Sequence, residues 1–175
     1  LRESTAKSKL RVQLMGSGTI LREVLVAADL LEQDWGVAAD VWSATSFTEL
    51  RREGLACERW NLLHPEDAAR VPYVTQCLEK TKGPVIAASD YMKTFAEQIR
   101  PFMPRGRDYR VLGTDGFGRS DSRAKLRYFF EVNRHFVVLA ALKSLADAGE
   151  LKAKTVSEAI VKYGIDPAKP DPTTV

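Results

Sequence analysis

The sequence predicts an α/β protein in which a largely parallel sheet is covered by helices on both faces. Three observations predict it. Short β-rich runs alternate with segments of helical periodicity, the first strand runs through a glycine-rich loop into a helix, and 45% hydrophobic residues among 175 suffice for one compact core. The 26 basic and 23 acidic residues leave a net charge of +3, too balanced for a nucleic-acid surface. No apolar run is long enough to span a bilayer, and "LRESTAKSKLR" lacks the apolar centre of a signal peptide, so a soluble, cytoplasmic chain without a membrane partner is expected. Cys57 and Cys77 match no metal-ligand or disulfide spacing, which fits reduced, buried or half-buried thiols.

Each element has its own justification. "RVQLM" (11–15) reads as a strand; Gly16, Ser17 and Gly18 follow, and then a helix with Ile20, Val24, Ala28 and Leu31 on one face. A second strand, "VAADVWS" (37–43), leads to a short helix in which Ser46 and Glu49 form a capping box and Gly54 is the expected end. "CERWNLLHPEDAARVP" is expected to be irregular. The next helix starts at Pro72, buries Val74, Cys77 and Leu78, and stops at Gly83. A third strand covers 84–88. Asp90 is the expected cap of a helix with an apolar stripe of Met92, Phe95, Ala96 and Ile99, ended by Pro101.

The fourth strand is "YRVLGT" (109–114). It runs into "DGFGRSDSR", where Ser120 or Asp121 is the expected cap of a helix containing Leu126, Phe129 and Phe130. "HFVVLAALKSLADAG" is short and apolar enough to suit a buried strand. Its helical spacing of Val138, Ala141, Leu142 and Leu145 up to Gly149 favours a helix. The last helix is expected from the capping box Thr155 and Glu158 to Gly164, with Val156, Ala159, Ile160 and Tyr163 buried. The Pro-rich end reads as an extended arm.

In such sheets the default binding crevice lies at the C-terminal ends of the strands. A dinucleotide fingerprint needs a small residue where Leu21 stands and an acidic residue where Ser43 stands; Asp40 lies at the wrong end of its strand. No Gly-Lys-Ser or Gly-Lys-Thr follows the glycines either. What remains is the free amides of Ser17, Gly18 and Thr19 at a helix start. With Gly16, Ser89, Asp90 and Lys93 they form a candidate anion-binding set if Lys93 faces the crevice; the competing reading is a turn with no ligand. His64 and His135 have no partner at metal-ligand spacing, and Ser17, Ser43 and Ser46 lack a nucleophile-elbow context, so no catalytic, cofactor or metal residue is assigned. In "DGFGRSDSR", Arg119 and Arg123 suit carboxylates or phosphates, and Asp115 and Asp121 are expected to neutralise them within the loop. Asp115, Phe117, Arg119, Ser120, Asp121 and Arg123 form the candidate interface set.

The phrases "VQLMGSGTILREV", "VWSATSFTELRREG", "CERWNLLHP", "SDYMKTFAEQIRPFMP" and "YRVLGTDGFGRSDSRAKLRYFFEV" resemble, in order, the C-terminal domain of the homodimeric, bacterial-type decarboxylating component of the pyruvate dehydrogenase complex. The Phe-Gly-x-Ser loop, Phe117 to Ser120, is similar to the C-terminal domain of transketolases. The resemblance implies a three-layer α/β/α domain with a mostly parallel, five-stranded sheet whose antiparallel edge strand is truncated to Leu1 and Arg2. It implies a linker or edge-strand remnant at 1–10, the domain at 11–164 and a tail at 165–175. The family decarboxylates pyruvate with thiamine diphosphate and magnesium and passes the acetyl group to dihydrolipoyl acetyltransferase; both cofactors are held by preceding domains. "GTDG" (113–116) lacks the Asn that follows in the metal-binding motif. The implied role is therefore a non-catalytic domain that meets the preceding domains, the second subunit and the acetyltransferase. The alternative is a regulatory domain whose crevice binds an anion or a nucleotide.

Overall fold

In the computed structural model, which describes residues 1–175, the strands are β1 (Arg11–Gly16), β2 (Ala38–Ser43), β3 (Val85–Ala88) and β4 (Tyr109–Leu112). All pair in parallel, in the order β2-β1-β3-β4, so the winding reverses between β1 and β3. The helices are α1 (Leu21–Trp35), α2 (Phe47–Leu63), α3 (Tyr73–Leu78), α4 (Lys93–Glu97), α5 (Arg123–Phe129), α6 (Arg134–Asp147) and α7 (Ala153–Lys162).

The two-residue period of the strands divides the core. Val12, Leu14, Ala39, Val41, Ile86 and Ala88 point into a cluster of 20 buried residues shared with α1, α6 and α7. Met15, Val85, Ala87, Tyr109 and Val111 point the other way, into a smaller cluster of 12 shared with α2, α3 and α4. The result is the three-layer α/β/α arrangement. Beyond β2, Arg2 exchanges backbone hydrogen bonds with Val41 at 3.0 and 2.8 Å as a single antiparallel bridge. The Arg2 guanidinium is anchored on α1, to Asp29 at 2.5 Å and Glu32 at 3.1 Å.

Several expectations are corrected. Gly54 does not end a helix: α2 continues to Leu63, because Gly54 faces the sheet side and a Cβ there would lie 2.6 Å from the buried Phe102 ring. "CERWNLL" is therefore helical, and Pro65 follows its end. The Trp60 ring lies between the His64 ring, 3.6 Å between centroids, and the Arg70 guanidinium at 3.5 Å. Asn61 clamps the Arg70 backbone, accepting its N–H at 2.7 Å and donating to its carbonyl at 2.9 Å. This segment staples the following loop to α2.

The caps also differ. Ser46 behaves as expected and accepts from the Glu49 amide at 3.2 Å. Asp90 caps nothing; α4 starts after Met92 without a side-chain cap, and Met92 and Phe95 are exposed. Ser122, rather than Ser120 or Asp121, caps α5. Thr155 lies inside α7, whose N-cap position is Lys152. The ambiguous apolar run is a helix because Asn133 caps it, its Oδ1 accepting from the amides of His135 and Phe136 at 3.0 and 3.1 Å. The tail is not an extended arm. Lys169 Nζ reaches the Phe129 carbonyl at 3.1 Å and Glu131 at 2.8 Å, and Pro172 is buried against the loop at Gly116.

Candidate functional site

The loops after β1, β3 and β4 meet at the C-terminal ends of the strands, beside the β1/β3 reversal. Gly16 closes β1 where a Cβ would lie 2.7 Å from the Leu21 Cα, so its first role is to let α1 pack tightly on the strand. The Ser17 amide is taken by the Ala88 carbonyl at 3.2 Å. Gly18, Thr19 and Ile20 form a 3-10 turn before α1. Asp90 stands against this turn and accepts from the Thr19 hydroxyl at 3.1 Å, while the buried Ser89 hydroxyl accepts from the Tyr91 amide at 3.2 Å. The sequence thus supplies a carboxylate of its own beside the turn. Lys93 does not line this crevice. It lies in a neighbouring hollow with Asp115, which takes its backbone N–H at 3.3 Å and approaches its Nζ at 3.9 Å.

The opposite side of the crevice is built by the β4 loop and α5. Arg119, Arg123 and Arg127 line it above Leu126 and Phe130, and the space enclosed is about 420 Å3. The two candidate sets, read separately from the sequence, therefore contribute to one crevice: Thr19 and Asp90 from one, Arg119 and Arg123 from the other. The expected pairing inside "DGFGRSDSR" does not form. Asp115 goes to Lys93 and Asp121 to Lys125 at 3.8 Å, while its Oδ1 accepts the Ser122 amide at 2.6 Å. Arg119 instead lies over the Phe129 ring at 4.8 Å, and neither Arg119 nor Arg123 has a carboxylate within ion-pair distance. Phe117 and Ser120 are exposed outside the crevice, Phe117 by 76%.

Sequence reasoning missed Arg127 and Glu23. Glu23 is buried and accepts from Arg127 Nη1 at 2.8 Å and from the Arg134 amide, Nε and Nη2 at 3.0, 2.8 and 3.0 Å. These bonds, Arg134's first, outweigh burial and hold the carboxyl below its usual range. The four-residue spacing of Arg119, Arg123 and Arg127 was the available signal for the basic wall. Of the remaining ionisable groups, His135 stacks on Tyr163 with centroids 4.6 Å apart, and burial followed by Arg134 lowers its pKa. Tyr163 accepts from Trp35 and donates to Asp34, and burial pushes it up to about 12. These are packing contacts. A second, more apolar hollow of about 540 Å3, lined by Met15, Trp42, Tyr73 and Cys77, opens beyond β1 and β2.

Asp115 of "GTDG" is held by Lys93, and no group of three or more His, Cys, Asp or Glu side chains is placed to hold a metal. No helix is long and apolar enough to cross a membrane.

A family model of the transketolase-like TK C-terminal domain matches residues 1–133. The pyruvate dehydrogenase E1 component of Pseudomonas aeruginosa is 62% identical over 172 residues, 98% of this chain and 19% of the relative. That of Cupriavidus necator is 61% identical over 165 residues, 94% of this chain and 18% of the relative. That of Escherichia coli K12 is 55% identical over 170 residues, 97% of this chain and 19% of the relative. The chain thus spans about a fifth of the length of the curated relatives it matches. Its fold, its four parallel strands and this match agree: the chain belongs to the transketolase-like TK C-terminal domain family.

Proposed function

We propose that the chain is the C-terminal, non-catalytic domain of a cytoplasmic pyruvate dehydrogenase E1 component. The whole enzyme would decarboxylate pyruvate with thiamine diphosphate and magnesium and transfer acetyl to the lipoyl groups of dihydrolipoyl acetyltransferase. The observation that carries this reading is the 62% identity with one such component along nearly all of this chain. Its role here is to present a docking surface to the preceding domains and the second subunit of a homodimer. In support, residues 116–125 are exposed without interruption, and the loop carries a large apolar side chain, Phe117, that is 76% exposed.

A domain exchange tests the proposal. Replacing the matching stretch of the Pseudomonas aeruginosa component with this chain should retain thiamine-dependent pyruvate decarboxylation and subunit association. A folded exchange protein that assembles but has no activity would overturn it. In parallel, calorimetric titration of the 175-residue chain with thiamine diphosphate and magnesium should show no binding; micromolar binding would place a cofactor site in this domain and defeat the non-catalytic role.

A further inference from the structure

We propose that the crevice between the β1, β3 and β4 loops is a binding site for a small phosphate ester bearing free hydroxyls, of the nucleoside phosphate class, with Arg119 and Arg123 as its phosphate clamp. Three observations converge on this class. The first is the charge left over. Three guanidinium groups line one side, but only Arg127 is neutralised internally, by Glu23, and the two acidic residues of the loop are committed to lysines. Two unpaired forks, four residues apart and facing the same space, match the several acceptor oxygens of a phosphate better than a single carboxylate.

The second observation is the opposite side. Asp90 there holds only one side-chain donor, the Thr19 hydroxyl, and a carboxylate beside a cavity accepts from ligand hydroxyls rather than from a second anion. A ligand that is anionic at one end and hydroxylated at the other satisfies both sides. The third is space and location. The crevice of about 420 Å3 has an apolar floor of Ile20, Leu126, Phe130 and Val132 and lies where the winding of the sheet reverses, the usual ligand position in open parallel sheets. Arg119 and Arg123 belong to the exposed stretch 116–125 as well, whereas Phe117 does not line the crevice, so a substitution at Phe117 probes the docking surface alone. The inference does not depend on the identity of the parent enzyme.

Calorimetric titration of the 175-residue chain with ADP at low ionic strength tests the site, with pyrophosphate and adenosine as comparators. One-site ADP binding is expected, adenosine binding weaker by about tenfold or more, and a loss of about tenfold for Arg119→Ala or Arg123→Ala. Arg119→Lys keeps the charge without the fork and should fall between. Phe117→Ala should bind ADP like the parent chain, which separates this site from the docking surface. The melting temperature of each unliganded variant, measured alongside, separates lost binding from lost fold. Absence of ADP binding, or binding that survives both alanine variants, would overturn the proposal. Pyrophosphate binding as tight as ADP would overturn the hydroxyl side assigned to Asp90.

Discussion

Arg123 and Arg127 stand one turn apart on α5, in the same sequence context, and have opposite fates. The Arg127 side chain is 17% exposed and bonded to a carboxylate that is itself buried; Arg123 is exposed and has none. Glu23 accounts for the difference. It sits on the first turn of α1, reaches α5 through Arg127 and α6 through Arg134, and so fixes three helices to one another. An arginine is structural when a buried carboxylate needs it. At the two earlier positions of the same four-residue series, Arg119 and Arg123, no carboxylate of the chain lies within ion-pair distance.

The largest effect should come from breaking the buried end of that series. Glu23→Ala leaves Arg127 and Arg134 without their shared acceptor and should cost about 3 kcal/mol, because the charge-assisted bonds that join three helices are lost together. For a chain of this size that is a fall of roughly 6–12 °C in melting temperature. Acid should sharpen the contrast. The Glu23 carboxyl is held low, so its contribution is fully present above the unfolded carboxyl value of about 4.3 and is lost as pH falls through its lower folded value. Urea midpoints recorded from neutral to acid pH should show that slope in the parent chain and a flatter one in the alanine variant. Equal slopes would remove Glu23 from its central place.

A smaller loss should follow Gly54→Ala, on the other side of the sheet. The new Cβ would meet the Phe102 ring, which is 4% exposed and cannot move without disturbing the smaller core. Overpacking of this kind costs about 1–3 kcal/mol, read as a lower urea midpoint at unchanged slope. A neutral or stabilising result would mean that α2 accommodates a side chain at its contact with Phe102.

Next in size is the pair of cap variants. Asn133 accepts two amides at the start of α6, so Asn133→Ala should cost about 1 kcal/mol by thermal melting. Asp121→Ala should cost less, since Ser122 is the residue that caps α5. Equal losses would return Asp121 to a capping role.

These residues also mark what the sequence disclosed. The parallel α/β plan, the strand–helix order and most of the α1 face were legible because strand and helix periods separate cleanly where apolar residues alternate. Local signals misled where a distant partner decided the outcome. Gly54 reads as a helix end until Phe102 is known to lie beneath it; Asp90 reads as a cap until Thr19 is found beside it. Glu23 carries no local signal, because its partners are more than a hundred positions away. The site was half legible. Both loops were identified, but their convergence and the diversion of Asp115 and Asp121 to lysines depend on tertiary geometry.

The smallest effect is the most diagnostic. Arg119→Ala removes an exposed side chain whose contact within the chain is the Phe129 ring, with no carboxylate to strand. An exposed cation over an aromatic ring contributes about 0.5–1 kcal/mol at most, and surface substitutions of this kind usually fall within about 0.5 kcal/mol, so melting should shift by a degree or two. The Arg127→Ala variant sharpens the comparison from the other end, since it breaks a bond to a buried carboxylate and should be far less stable than Arg119→Ala. If both were equally destabilising, the division of the series into a structural and a free half would fail. A stable Arg119→Ala chain that also loses ADP binding would locate function at the end of the series where the fold makes no demand.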